Sequence, residues 1–327
     1  IVHFIGNPKA TLVARGSKAS NREVSVLAAG PCRGVVQVTY NLDWGKFTQK
    51  VSLDADSRVV SFTTDVDWDT VGKISDYDGR RVRVAFNSAY DDAKVWCDIP
   101  FGVIPWKQSE TIRPVNSWLG IEGPISGAAL IHRGTPSIQT VDDAVYMTLF
   151  RSVVEPGVGP ERPFCGWDHP EDEATEDGQQ RFTYAVYVYP GGWKGASVPR
   201  VAAEINAPLF SRVTNRHCGI TGPPWRSSPL LPGESSYLSL DSASLVVTAV
   251  KPAEYGQGGT VVRLYNPTDE RASGVLTVGF AHGGAEVVDF REEFTASLGE
   301  KGPFTLAVAP YEIVTVLFRI RRRVWLF

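Results

Sequence analysis

Asp65-Val66-Asp67-Trp68-Asp69, Arg81-Val82-Arg83-Val84-Ala85-Phe86 and Asp98-Ile99-Pro100-Phe101-Gly102-Val103-Ile104-Pro105 belong to one stretch, Asp65 to Arg113, and its reading decides the fold. The middle piece alternates Arg81 and Arg83 with Val82, Val84 and Phe86, the period of two expected of a strand with one wet and one dry face. The first piece ends a strand in an acidic turn with Trp68 expected on the inner face, and the third closes a strand on Pro and Gly. Further out, Val36, Val38 and Tyr40 share one face. The turn Asn41-Leu42-Asp43-Trp44-Gly45 leads into a strand over 47–53, and after Asp54-Ala55-Asp56-Ser57 another covers 59–66. Two hairpins in succession predict an antiparallel sheet. Gly and Pro punctuation continues through 120–124, 134–136 and 156–157, which implies a β-sandwich and not alternating βαβ units. Residues 1–22 read as a pair of short strands. The nearest candidate for a helix is 200–206, ending before Pro208.

With 327 residues the chain exceeds the size, roughly 250 to 300 residues, at which single cores stop growing. The expectation is therefore a large unit, 1–242, and a small one, 243–327, with the boundary near Ser242, just past the Pro/Gly/Ser-rich stretch 221–236. Strands over 245–250, 260–265, 274–280 and 313–318 would build the small unit. A long Pro-rich, acidic loop spans 155–180, a length typical of functional lids or of disorder. A net charge of -3 and a pI near 6.0 offer no basic field for a polyanion, which argues against nucleic acid as a partner. Arg319, Arg321, Arg322 and Arg323 form the one basic cluster, either a strand running into a solvated tail or an arm that docks elsewhere. Cys32, Cys97, Cys165 and Cys218 include no Cys-x-x-Cys pair, so a zinc ribbon is not supported, and buried thiols are the default. A Cys165–Cys218 disulfide is open. No apolar run of about 18 residues and no leader pattern is visible, so no membrane partner is expected and a cytoplasmic location is favoured. The chain opens on Ile1-Val2-His3-Phe4 without Met, which suggests a mature, trimmed or split product.

In this order and spacing the opening stretch resembles the start of the all-β C-terminal region of glycoside hydrolase family 38, the retaining α-mannosidases. Leu149-Phe150-Arg151-Ser152, Phe182-Thr183-Tyr184 and Ala203-Glu204-Ile205-Asn206-Ala207-Pro208-Leu209 come next in the family's order. So do Arg263-Leu264-Tyr265-Asn266 and Ala309-Pro310-Tyr311-Glu312-Ile313-Val314-Thr315, and the likeness runs from about Ala29 to Ile320. The resemblance implies an all-β chain: a large antiparallel β-sandwich of the galactose-mutarotase-like super-sandwich kind, followed by a small β-sandwich. It also implies that the nucleophile, the acid and a catalytic zinc sit on an N-terminal α/β barrel absent from this sequence.

Retaining glycoside hydrolysis needs two carboxylates about 5 to 5.5 Å apart, a condition that 36 acidic residues leave undecided. The five histidines, His3, His132, His169, His217 and His282, occur singly, without the His-x-Asp pairs of the family's barrel. No catalytic residue, metal ligand or cofactor is therefore expected in this chain. Alone it should be inactive, as the β-sandwich portion of an α-mannosidase-like enzyme that packs on a catalytic barrel and lines the sugar cleft. Arg151 is the candidate substrate-binding residue: the resembled family places a basic strand-end residue near the barrel mouth, where a guanidinium fork can hold vicinal hydroxyls. The plainer reading pairs Arg151 with local acids such as Glu155. Gln180 stands where the family's Gly-x-His-x-Phe-x-Tyr pattern has His, keeping hydrogen bonds but not a titratable proton. Asp65, Asp67 and Asp69 form either a solvated acidic face or, with backbone oxygens, a Ca²⁺ site; His169 with Asp168 and Glu171 is a metal candidate or a solvated loop. Trp118, Trp167, Trp193 and Trp225 lie in or beside predicted loops, as core or as sugar platforms. Two other classes stay open: a stand-alone carbohydrate-binding module and a structural assembly domain.

Overall fold

The computed structural model of the chain describes residues 2–5, 11–14, 16–42, 45–68, 79–88, 90, 92–107, 109–141, 144–152, 178–211, 234–254 and 258–320. Among the described residues it is all-β but for one helix and one 3-10 turn, and the chain divides into two compact units, Ile1–Ala196 and Ser197–Phe327. The division falls upstream of the expected boundary near Ser242 because the helix is tied to the backbone at 242–243: Ser197 Oγ donates to the Ala243 carbonyl at 2.7 Å and Arg200 Nη1 to the Ser242 carbonyl at 3.2 Å.

The first unit runs through β1 (Val2–Ile5), β2 (Thr11–Ala14), a 3-10 turn at Gly16–Lys18, β3 (Glu23–Ala29), β4 (Arg33–Leu42), β5 (Gly45–Asp54), β6 (Val59–Trp68) and β7 (Gly79–Asn87). It continues with β8 (Lys94–Ile99), β9 (Gly102–Pro105), β10 (Ser109–Pro114), β11 (Trp118–Glu122), β12 (Ser126–His132), β13 (Ser137–Val141), β14 (Ala144–Ser152) and β15 (Gly178–Pro190). All pairings are antiparallel. One sheet has the order β3-β4-β5-β6-β15-β12-β11-β8-β9, the other β10-β13-β14-β7-β1-β2. Inward side chains of both, among them Phe47, Val66, Trp68, Val82, Met147 and Phe150, form one core, the interdigitation that holds two sheets face to face. Aromatic rings carry much of it, Trp68 meeting Phe47 and Phe150 edge-on at 6.4 and 4.9 Å. The Pro-Gly closure read from the sequence is the β8–β9 hairpin, Ile99 opposite Gly102. Pro100 takes the first turn position and Phe101 the second with φ 62, a left-handed conformation that costs a non-Gly residue on the order of 1 kcal/mol.

Two expectations for this unit need correction. Arg83, read as facing water, is 2% exposed; its Nη1 donates to Gln139 Oε1 at 2.6 Å and its guanidinium lies 6.0 Å from the Tyr146 ring centroid. Both faces of β7 are covered there, so the alternation marked two environments and not wet against dry. Plain alternation in β14 would set Val145, Met147 and Leu149 on one face and Tyr146, Thr148 and Phe150 on the other; it fails as well, because the register slips between Thr148 and Phe150, opposite Arg83 and Val82. This bulge inserts an extra residue and puts Leu149 and Phe150 together in the core.

The second unit begins with α1 (Val198–Asn206), followed by β16 (Leu238–Asp241), β17 (Val246–Pro252), β18 (Gly259–Tyr265), β19 (Ala272–Val278), β20 (Ala285–Val288), β21 (Phe294–Gly299), β22 (Phe304–Val308) and β23 (Ile313–Arg319). Pro199 fits the first helical turn, where its missing N–H is no loss. The sheets are β16-β19-β22 and β17-β18-β23-β20-β21. β22 alternates strictly, burying Phe304, Leu306 and Val308, against Leu264, Leu276 and Phe318. The 263–266 and 309–315 motifs meet at one end of this sandwich. Asn266 Nδ2 donates to the Glu270 and Ala309 carbonyls at 2.6 and 3.0 Å, while its Oδ1 accepts from Thr268 N–H and Oγ1 at 3.0 and 2.7 Å. The Asn266 N–H donates to the Glu312 carbonyl at 3.0 Å, and Ala309 N–H to Glu312 Oε2 at 2.6 Å. A fully buried amide so saturated is an anchor for chain reversal, each bond contributing about 1 kcal/mol.

Cys97 is buried, as the default for a free thiol has it, and burial pushes its pKa up to about 11. Cys32 is exposed, contrary to that default, because it lies in the turn between β3 and β4. Cys165 and Cys218, the loop 155–177 and the tail 321–327 lie outside the described residues. No helix among the described residues is long and apolar enough to cross a membrane.

Candidate functional site

Strand ends from both sheets of the first unit converge where Arg151 was singled out. Arg151 is the next-to-last residue of β14, with Arg81 of β7 as its cross-strand partner. The residue before it, Phe150, stacks on Phe182 at 5.7 Å and meets Trp68 edge-on, so the end of β14 lies over the end of β6 and the beginning of β15. Gln180 is two residues before Phe182, opposite Val66. Arg151 and Gln180, 29 positions apart, are thus brought to one end of the sandwich by an aromatic stack that the bulge of β14 and the alternation of β15 place in the core.

The acidic strand end is at the same place. Asp65 and Asp67 alternate with buried Val66 and Trp68, as expected, and Trp68 lies on the inner face. Asp65 accepts from Arg181 Nε at 2.5 Å and Nη2 at 3.2 Å, a two-pronged surface pair that occupies the carboxylate a Ca²⁺ ion would need. Asp69 lies outside the described residues, as do His169, Asp168, Glu171 and Glu155. Among the described residues no three His, Cys, Asp or Glu side chains are grouped to hold a metal ion. His132 is buried, and burial alone pushes its pKa down to about 4, leaving it neutral.

The described tryptophans of the platform reading are core. Trp118 is 0% and Trp193 4% exposed, each with its ring centroid 5.9 Å from a neighbouring indole, Trp193 also meeting Trp96. Glu122 organises this cluster on the face of β11 opposite Leu119, accepting from Trp96 Nε1 at 2.9 Å, Tyr189 OH at 3.2 Å and the Trp193 N–H. Burial, reinforced by Glu122, pushes the Tyr189 phenol up. The Tyr189 ring lies where Gly127 leaves room: a Cβ there would be 2.5 Å from it. Trp167 and Trp225 lie outside the described residues.

Gln49 and Thr64 were passed over in the sequence, although both break an apolar face: Gln49 falls between Phe47 and Val51, Thr64 between Phe62 and Val66. A polar residue at an inward position of an alternating strand was the available signal.

Two family models match the chain, the glycosyl hydrolases family 38 C-terminal domain over residues 9–158 and the glycosyl hydrolases family 38 C-terminal beta sandwich domain over 244–316. Alpha-mannosidase G of Dictyostelium discoideum is 23% identical over 311 residues, covering 90% of this chain and 26% of that protein. Among solved structures, an alpha-mannosidase from Enterococcus faecalis V583 superposes with a TM-score of 0.71 at 17% identity, covering 91% of this chain and 35% of that one. A glycosyl hydrolase family 38 protein from Enterococcus faecalis gives 0.72 at 17% identity, over 91% and 36%. These structural likenesses establish the fold. The chain spans between about a quarter and about a third of the length of these relatives.

Proposed function

This chain belongs to glycoside hydrolase family 38, of which it carries the C-terminal domain and the C-terminal β-sandwich domain, and on that footing we propose that it serves α-mannoside hydrolysis without performing the bond cleavage itself. Its β-sandwich packs on a catalytic barrel, and the end of the first unit bearing Arg151 and Gln180 borders the sugar cleft. Arg151 donates hydrogen bonds to substrate hydroxyls or steadies a barrel carboxylate, while the carboxylate pair, and any zinc ion that would supply Lewis-acid chemistry, would belong to the barrel. The observation that carries this reading is the convergence of Arg151, Gln180 and the Asp65–Arg181 pair at one end of a sandwich whose relatives are about three times longer. Such an Arg would act mainly in the transition state, when charge and hydroxyl geometry change.

The test uses the whole polypeptide encoding the barrel together with this region. Arg151→Ala is expected to lower kcat/KM on an aryl α-mannoside by about 10- to 100-fold, with its melting temperature preserved, and the chain alone should show no turnover. Undiminished kcat/KM in Arg151→Ala removes the residue from the cleft, and sustained turnover by the isolated chain overturns the dependence on a barrel.

A further inference from the structure

Gln49 and Thr64, the inward polar residues of β5 and β6, are register partners, and β15 adds Tyr184 beside them. Gln49 Nε2 donates to Tyr184 OH at 2.8 Å and to Thr64 Oγ1 at 3.3 Å, and the two hydroxyl oxygens are 2.9 Å apart. Both amide hydrogens of Gln49 are engaged in this way, while Gln49 Oε1 has no partner among the described residues. Three polar groups in a core cost desolvation that apolar residues of the same shape would avoid.

These groups border a cavity of about 470 Å³ between the sheets. Its walls are aromatic: Tyr40 and Phe47 stack at 5.2 Å, Phe62 and Tyr184 stack at 5.2 Å, and Phe86 stands edge-on to Phe62 at 5.8 Å. Among the described residues the lining contains no Asp or Glu. Of its two arginines, Arg83 holds Gln139, and Arg22 is exposed with Nη1 donating to the Ser17 carbonyl at 2.9 Å. The phenols remain neutral, burial pushing that of Tyr40 up to about 12. An apolar chamber of this size with a few convergent polar atoms is the usual form of a small-molecule site.

We propose that this chamber binds a small neutral ring-bearing alcohol, its ring lying between the aromatic walls and its hydroxyl donating to Gln49 Oε1 beside Tyr184 OH. A sugar does not fit the same surface, since most of its hydroxyls would face rings with nothing to bond. The site is independent of Arg151 and of any barrel.

The test titrates the chain with p-cresol by calorimetry, with D-mannose as the comparison, and repeats the titration on Gln49→Leu, Tyr184→Phe and Val38→Trp, each checked for folding by its melting transition. The expected result is saturable binding of p-cresol, weakened about 5- to 10-fold by Gln49→Leu or Tyr184→Phe and also weakened by Val38→Trp, whose indole narrows the chamber. Gln49→Leu keeps side-chain volume and carries the test by itself if another variant does not fold. Absence of saturation at about 10 mM, the weakest useful affinity, binding that Gln49→Leu leaves unchanged, or saturable binding of D-mannose instead would each overturn the proposal.

Discussion

Asp98 in the first unit and Glu292 in the second are both 2% exposed, yet their surroundings push them in opposite directions. Asp98 accepts from neutral donors, Asn116 Nδ2 at 3.0 Å and Ser117 Oγ, and burial, outweighing them, raises its pKa to about 6. Glu292 also suffers desolvation, but Lys251 Nζ lies 2.5 Å from Oε1 and the Glu254 N–H donates to Oε2 at 2.7 Å, and together they hold its pKa below the ordinary value. Equal exposure therefore does not mean equal charge, since Asp98 lies among far more protein atoms than Glu292 and loses more of its solvation. A cation at contact distance keeps a buried carboxylate ionised, whereas hydroxyl and amide donors offset only part of what water provided.

The two sites also respond oppositely to pH. For Glu292 the lowered folded pKa means a contribution present above the unfolded carboxylate value and lost as pH falls through the folded one. For Asp98 the raised pKa means a contribution complete below about 4 and lost as pH rises through about 6. The largest effect should come from breaking the cationic partnership. Lys251→Met is expected to lower the melting temperature by about 10 °C at pH 7, because it removes the contact cation from a carboxylate that stays out of water. A second change, Glu292→Leu, in the same chain should recover most of the loss; a thermal scan in which Lys251→Met melts with wild type would refute the contrast.

Next in size, Asp98→Asn removes the ionisation while keeping the shape. Relative to wild type, its stability should improve by about 3 kcal/mol between pH 4 and pH 7, read from urea titrations at each pH. His132 works the other way, since its pKa of about 4 makes its contribution appear above about 6.5 and vanish through 4. Wild type should therefore show less pH dependence across this window than Asp98→Asn. The smallest effect expected is for Ser117→Ala, which removes one donor from Asp98. It should cost about 1 to 2 kcal/mol above pH 6 and little at pH 4, and an equal loss at both would mean that the hydroxyl acts by packing alone.

Much of this fold was legible because local periodicity and turn chemistry agree with it. Trp68 was assigned to the inner face from the alternation of Asp65, Asp67 and Trp68, and the core confirms the placement. The antiparallel strands on either side of Asp54-Ala55-Asp56-Ser57 and the pair at the N-terminus lie where the pattern put them. The strands β20, β21 and β22 were missed. Each spans four to six residues, too short for alternation to stand out from chance. The bulge at Leu149 could not be read either, because an inserted residue leaves composition intact and shifts only the parity against β7. Of the candidate site, Arg151 and Gln180 were read as single residues, and their nearness depended on Phe150 stacking across sheets on Phe182. The polar break at Gln49 and Thr64 was visible but gained meaning only when β15 brought Tyr184, 120 positions beyond Thr64, to the same point.

The amino-acid sequence by itself determined the all-β class, the antiparallel hairpins and the order of the family motifs, since each of these depends on side-chain alternation and turns a few residues long. The tertiary structure alone decided that Arg83 is covered, that two equally inaccessible acids carry opposite pKa shifts, and that two sheets leave a chamber between aromatic walls. Those outcomes depend on which distant side chains supply charge, hydrogen bonds or volume at a given point, and local sequence does not encode that proximity.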